Sequence, residues 1–96
     1  MFVINLNYIV PLEELDRHMT AHVKFLQACY KEDIFITSGR KVPRTGGIIL
    51  AQGKSKSEIE QIMNEDPFIK NHLAEYTITE FLTSQIHPKF KTLLKS

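Results

Sequence analysis

The chain has 96 residues, 43% hydrophobic and 24% charged, with 12 Lys and Arg against 11 Asp and Glu for a formal net charge of +1. That length reads as a single domain over residues 1–96 with a C-terminal tail at 84–96, too short for a two-domain Rossmann enzyme, a protein kinase or an α/β-hydrolase. The composition is globular, and the near-neutral charge calls for no nucleic acid or membrane surface as partner.

In chain order, Phe2 to Ile9 alternates, with Phe2, Ile4, Leu6 and Tyr8 on one face. Period two with branched and aromatic residues predicts a half-buried strand. Ahead of it there is no basic stretch, which reads against a signal peptide. Pro11 suits a first helical turn. From Leu12 to about Lys31, Leu12, Leu15, Met19, Val23, Leu26 and Cys29 recur at helical spacing and predict one helix of about five turns. Ile34 to Ser38 reads as a strand. Gly39 to Gly47 reads as a basic loop, and Ile48 to Ala51 as the second strand of a hairpin. Ser55 with Glu58, and Ser57 with Glu60, match the capping-box pattern ahead of a short helix through Ile59, Ile62 and Met63. Asp66-Pro67 breaks that helix and opens another turn. Tyr76 to Leu82 reads as the last strand. The tail carries Phe90, Leu93 and Leu94 at helical spacing.

The order β-α-β-β-α-β predicts a ferredoxin-like α+β sandwich, an antiparallel sheet with both helices on one face. The opposite sheet face carries Val3, Ile9, Ile48, Leu50 and Phe81. A second apolar face predicts a homodimer or higher oligomer, with the tail helix packing across it rather than on a membrane. Cys29 is the only cysteine, which excludes an intramolecular disulfide and favours a reducing, cytoplasmic setting. Its place on the apolar stripe favours an inert thiol.

Polar residues at apolar positions carry the functional signal. His22 falls inside the stripe of the first helix and Asp66 follows Ile59, Ile62 and Met63 at the i, i+3, i+4, i+7 spacing. Each has a plain structural reading, a hydrogen-bonded core histidine and an N-cap ahead of Pro67. Together they place one ionisable group on the inward side of each helix. If they meet, Asp66 orients the imidazole and His22 transfers protons. A metal held by His18, His22 and Asp66 ranks below this, since no HExxH motif is present. No metal and no cofactor are expected. The segment Ser38-Gly39-Arg40-Lys41-Val42-Pro43-Arg44-Thr45-Gly46-Gly47 reads either as a solvated loop or as an anion clamp, with the glycines admitting a ligand close to the backbone. It lacks the P-loop ending, and the Ile48–Gln52 strand lacks the stacking aromatics of RNA-binding sheets.

These residues together resemble the YciI-like, or YCII-related, family of the dimeric α/β-barrel superfamily. The carriers are Ala21-His22-Val23-Lys24-Phe25-Leu26, Ser38-Gly39-Arg40, Pro43 to Ala51, Asp66-Pro67-Phe68 and Ala74 to Phe81. The family's paired His and Asp match His22 and Asp66. Where many relatives have Gly-Pro, this chain has Gly39-Arg40, which adds a cation. The resemblance implies a ferredoxin-like subunit dimerised through its sheets, with a cleft like those of muconolactone isomerases and a dehydrochlorinase of chlorinated hydroquinones.

The expectation is a cofactor-free enzyme of isomerase, lyase or dehydrochlorinase type. His22 and Asp66 are its catalytic pair, and Tyr8, Ser38, Gly39, Arg40 and Arg44 bind a small anionic or phenolic substrate. The alternative is a non-catalytic ligand-binding or assembly module in which the pair stabilises the cleft.

Overall fold

In the computed structural model, residues 1–93 are described. The elements are β1 (Phe2–Tyr8), α1 (Leu12–Arg17), α2 (Met19–Lys31), β2 (Phe35–Arg40), β3 (Gly46–Ala51), α3 (Lys56–Met63), α4 (Pro67–Lys70) and β4 (Ala74–Glu80), then a 3-10 turn over Pro88–Leu93. The strands form one antiparallel sheet of order β2-β3-β1-β4. This is the ferredoxin-like α+β sandwich.

β1 follows its alternation. Phe2, Ile4 and Leu6 are buried beneath the helices together with Ile49 and Ala51 of β3. Leu15 and Cys29 descend from α1 and α2, and Ile59, Met63 and Phe68 from α3 and α4. Burying such a side chain contributes about 1.5–3 kcal/mol, so this layer holds the sheet and helices together. Burial pushes the Cys29 thiol up to about 11, with the charges of Glu32 and Asp66 adding to it, which keeps the thiol protonated and inert. At the start of α3, the Ser55 side chain accepts from the Glu58 N–H while Glu58 accepts from the Ser55 N–H, completing the capping box. The contact with Ser55 also holds the Glu58 carboxyl below its ordinary range.

The structure corrects several boundaries. The expected five-turn helix is two helices. His18 takes φ −108° and ψ 6°, outside the helical region, and its N–H bonds to Leu15 O. The break lets α1 drop Leu15 into the core while Val23 of α2 stays partly exposed. β2 runs on through Gly39 and Arg40, and β3 begins at Gly46, so the basic connection shrinks to residues 41–45. β4 starts earlier, at Ala74, and ends before Phe81 and Leu82. The tail forms a 3-10 turn in which Phe90 is 55% exposed. Leu94, the last residue of the expected tail stripe, lies outside the described residues.

The glycines of the connection have an internal cause. A Cβ at Gly46 would lie 1.8 Å from Leu6 O, because β1 and β3 close at this point. The ladder itself therefore excludes a side chain, without any ligand. At Gly39 a Cβ would meet nothing within 4 Å. Gly46→Ala is expected to cost at least about 2 kcal/mol of stability, and Gly39→Ala to change it by no more than about 0.5 kcal/mol. Urea unfolding of both variants checks this pair.

Candidate functional site

α2 and α4 cross above the sheet and bring His22 and Asp66 together across 44 positions of sequence. His22 Nδ1 lies 2.8 Å from Asp66 Oδ1. The Asp66 side chain is 0% exposed and that of His22 is 13% exposed. Asp66 is also the N-cap of α4, since the same Oδ1 accepts from Phe68 N–H at 3.0 Å. Its other oxygen, Oδ2, is buried with no hydrogen-bond partner among the described residues. Phe68 fixes the imidazole further. The two rings stack with centroids 3.9 Å apart and planes 3° apart, and Tyr8 meets Phe68 edge-on at 6.0 Å.

An ionised carboxylate only accepts hydrogen bonds. The contact therefore puts the imidazole proton on Nδ1 and the lone pair on Nε2. His22 lines a cavity of about 580 Å³ between α2 and the β2–β3 end of the sheet, within the range of small-molecule sites. Tyr8, Ser38, Gly39, Arg40 and Arg44 line the same cavity. Asp66 lies behind His22 and does not reach the wall. Leu6, Met19, Val23, Leu26 and Ile49 supply the apolar lining.

A β-bulge decides which polar groups face the cavity. The β2–β3 register shifts between Phe35 and Thr37. Phe35 pairs with Ala51, yet Ser38 pairs with Ile49 and Arg40 with Gly47. Without the shift, Thr37 and Gly39 would share the helix side with Phe35. With it, Ser38 and Arg40 do. The Ser38 hydroxyl lies 2.5 Å from Tyr30 OH of α2.

The two arginines differ. Arg44 Nη2 donates to Asp16 Oδ1 at 2.6 Å. That bond raises the Arg44 pKa above its ordinary value, with a smaller contribution from Tyr8. Lys41 donates to Asn7 Oδ1 at 2.7 Å and is not on the cavity wall. Among the described residues no three His, Cys, Asp or Glu side chains gather as a metal-holding group, so His18, His22 and Asp66 do not form one.

Sequence reasoning missed Asp16, Phe68 and Tyr30. Phe68 follows Asp66-Pro67 directly, so an N-cap at Asp66 with Pro67 at N1 was the available signal for it. Asp16 and Tyr30 gave no signal, because an exposed helix carboxylate and a half-buried tyrosine are ordinary.

The chain thus joins an antiparallel ferredoxin-like sheet to a His22–Asp66 contact between α2 and α4. The chain matches the family model of the YCII-related domain over residues 1–82, and it belongs to that family. It is structurally similar to a 5-chloro-2-hydroxyhydroquinone dehydrochlorinase from Burkholderia phenoliruptrix, solved in complex with 2,5-dihydroxybenzoquinone. The TM-score is 0.70 and the identity 17%, over 85% of this chain and 94% of that one. This likeness shows a shared fold. No curated protein matches the sequence. No helix among the described residues is long and apolar enough to cross a membrane.

Asp66→Ala removes both the cap and the imidazole partner and is expected to cost about 1–2 kcal/mol. Asp66→Asn keeps an acceptor at Oδ1 and is expected to retain most of that stability. Urea unfolding that ranks the two alike would contradict the capping geometry.

Proposed function

We propose that this protein is an enzyme in which His22, oriented by Asp66, moves a proton on a small anionic or phenolic substrate. The observation that carries the reading is the 2.8 Å contact of a cavity-lining imidazole with a fully buried carboxylate. Nε2 takes a proton from a C–H or O–H of the substrate. Asp66 steadies the imidazolium that forms. In an isomerisation the proton returns to a different carbon. In a dehydrochlorination His22 takes the C–H proton, the C–H electron pair becomes a new C=C bond as the C–Cl bond breaks, chloride leaves and the proton passes from His22 to solvent. Both use His22 as the base, with Tyr8, Ser38, Gly39, Arg40 and Arg44 around the substrate. The structural neighbour's name supports the second reaction type, and the single-ring ligand in its complex is small enough for a cavity of about 580 Å³.

A non-catalytic role has one observation in its favour, since Asp66 caps α4 with the same oxygen that holds His22. Asp66→Asn separates the two readings. With chlorinated hydroxyhydroquinones and unsaturated small acids as substrates, His22→Ala is expected to lower kcat by roughly 10²–10⁴. Asp66→Asn is expected to lower it markedly while the melting temperature holds. Chloride release and NMR of the products read the rate. Activity that falls only in step with stability would favour the structural role.

We also propose that the protein works as a homodimer joined through the open sheet face. Val3 and Leu50 are half-buried there, Ile48 is 40% exposed, and Asn5 Oδ1 is buried without a hydrogen-bond partner among the described residues. The rest of that face is more polar than its sequence implied, with Thr77 and Thr79 on β4. Ile48→Glu is expected to shift the mass in light scattering from dimer to monomer at micromolar concentration. Deleting the residues after Ile86 is expected to weaken the dimer if the tail packs across it. A wild-type monomer would sink the proposal.

A further inference from the structure

The cavity carries more cations than its charge balance uses. Its ionisable lining consists of Asp16, Arg44, Arg40 and His22, with the Tyr8 phenol beside them. Asp16 and Arg44 cancel in a 2.6 Å ion pair. Arg40 has no ion-pair or hydrogen-bonded partner for its side chain among the described residues. It stands at the end of β2 opposite Gly47, a residue with no side chain to fill the space beside it. The bulge in β2 turns it to the helix side, the side from which His22 enters.

We propose that Arg40 is the specificity-determining residue of the cavity and that the substrate is a compact monocarboxylate. Its carboxylate binds the Arg40 guanidinium, and its apolar body lies on Met19, Val23 and Leu26. This deepens the proton-transfer reading and rests on it for the part His22 plays. A guanidinium presents paired N–H donors that match a carboxylate, and such charge-assisted pairs are roughly twice as strong as neutral ones. An unsubstituted phenol has a pKa near 10 and is neutral at pH 7, so it would leave Arg40 unmatched. A dicarboxylate brings one charge more than the cavity can balance, because Asp16 holds Arg44. The ion pair thus sets the number of anionic groups the site accepts. Arg44 acts as a positioning group and is not the clamp.

The test is calorimetric titration of the full chain with three probes, benzoate, its neutral isostere benzamide and the dianion phthalate. Wild type is expected to bind benzoate at least tenfold more tightly than either of the others. Arg40→Gln is expected to erase the preference for benzoate over benzamide, by weakening benzoate binding at least tenfold. Asp16→Asn frees Arg44 and is expected to improve phthalate binding by about tenfold. Arg40 is exposed, and an unchanged melting temperature shows that its variant is folded. A wild type that binds no benzoate, or that does not prefer it, overturns the assignment. So does a preference that survives in Arg40→Gln. His22→Asn keeps the outcomes apart. If that variant retains the benzoate preference and also retains turnover, the proton-transfer reading falls and Arg40 stands. If Arg40→Gln retains the preference while His22→Asn loses turnover, the reverse holds.

Discussion

Asp66 Oδ1 accepts two hydrogen bonds, one from the backbone N–H of Phe68 and one from the imidazole of His22, and that oxygen joins α2 to the start of α4. A carboxylate that is 0% exposed is costly to bury unless donors compensate it. The first donor comes free with the N-cap of α4. The second has to come from another element, and α2 supplies it. Phe68 then serves twice, donating its N–H to the carboxylate and offering its ring to the imidazole 3.9 Å away. Cap, dyad and stack form one unit, so the local chemistry that starts a four-residue helix also orients the imidazole of the cavity.

The cavity's other wall depends on irregularity in the sheet. β2 is an edge strand, where a bulge is tolerated because only one neighbour must be kept in register. The one-residue slip reverses the parity of all that follows it. Ser38 and Arg40 come to the helix side, and Gly39 goes to the other. Nearby, the close approach of Leu6 O to Gly46 seats β3 against β1. A formal net charge of +1 for the whole chain conceals this arrangement, in which one cavity arginine is neutralised by Asp16 and the other has no ion-pair partner among the described residues.

Much of the fold was legible because it follows local rules. The alternation of Phe2, Ile4 and Leu6 needs only the two-residue period of a strand. The Ser55–Glu58 box needs only the four residues at a helix start. His22 and Asp66 stood out because periodicity demanded apolar residues at their positions, which is a local signal of a non-local need. The break at His18 was not legible. The apolar spacing from Leu12 to Cys29 continues through it, and no Pro or Gly marks it. The extension of β2 was hidden by Gly39 and Arg40, which read as loop residues until β3 pairs with them.

The sequence by itself determined the order of the strands among the helical segments, the capping box at Ser55, the buried alternation of β1 and the two ionisable residues set among apolar ones. Those depend on spacing and side-chain type within a few residues. Only the tertiary structure decided that one carboxylate oxygen serves both a cap and an imidazole, that Phe68 stacks on His22, and that Asp16 takes Arg44 and leaves Arg40 without an ion-pair partner among the described residues. Each of these joins residues far apart in the chain, with 44 positions between His22 and Asp66 and 28 between Asp16 and Arg44. Their pairing is set by how the helices lie on a bulged sheet, and side-chain pattern along one strand or helix does not encode which distant partner a charge will meet.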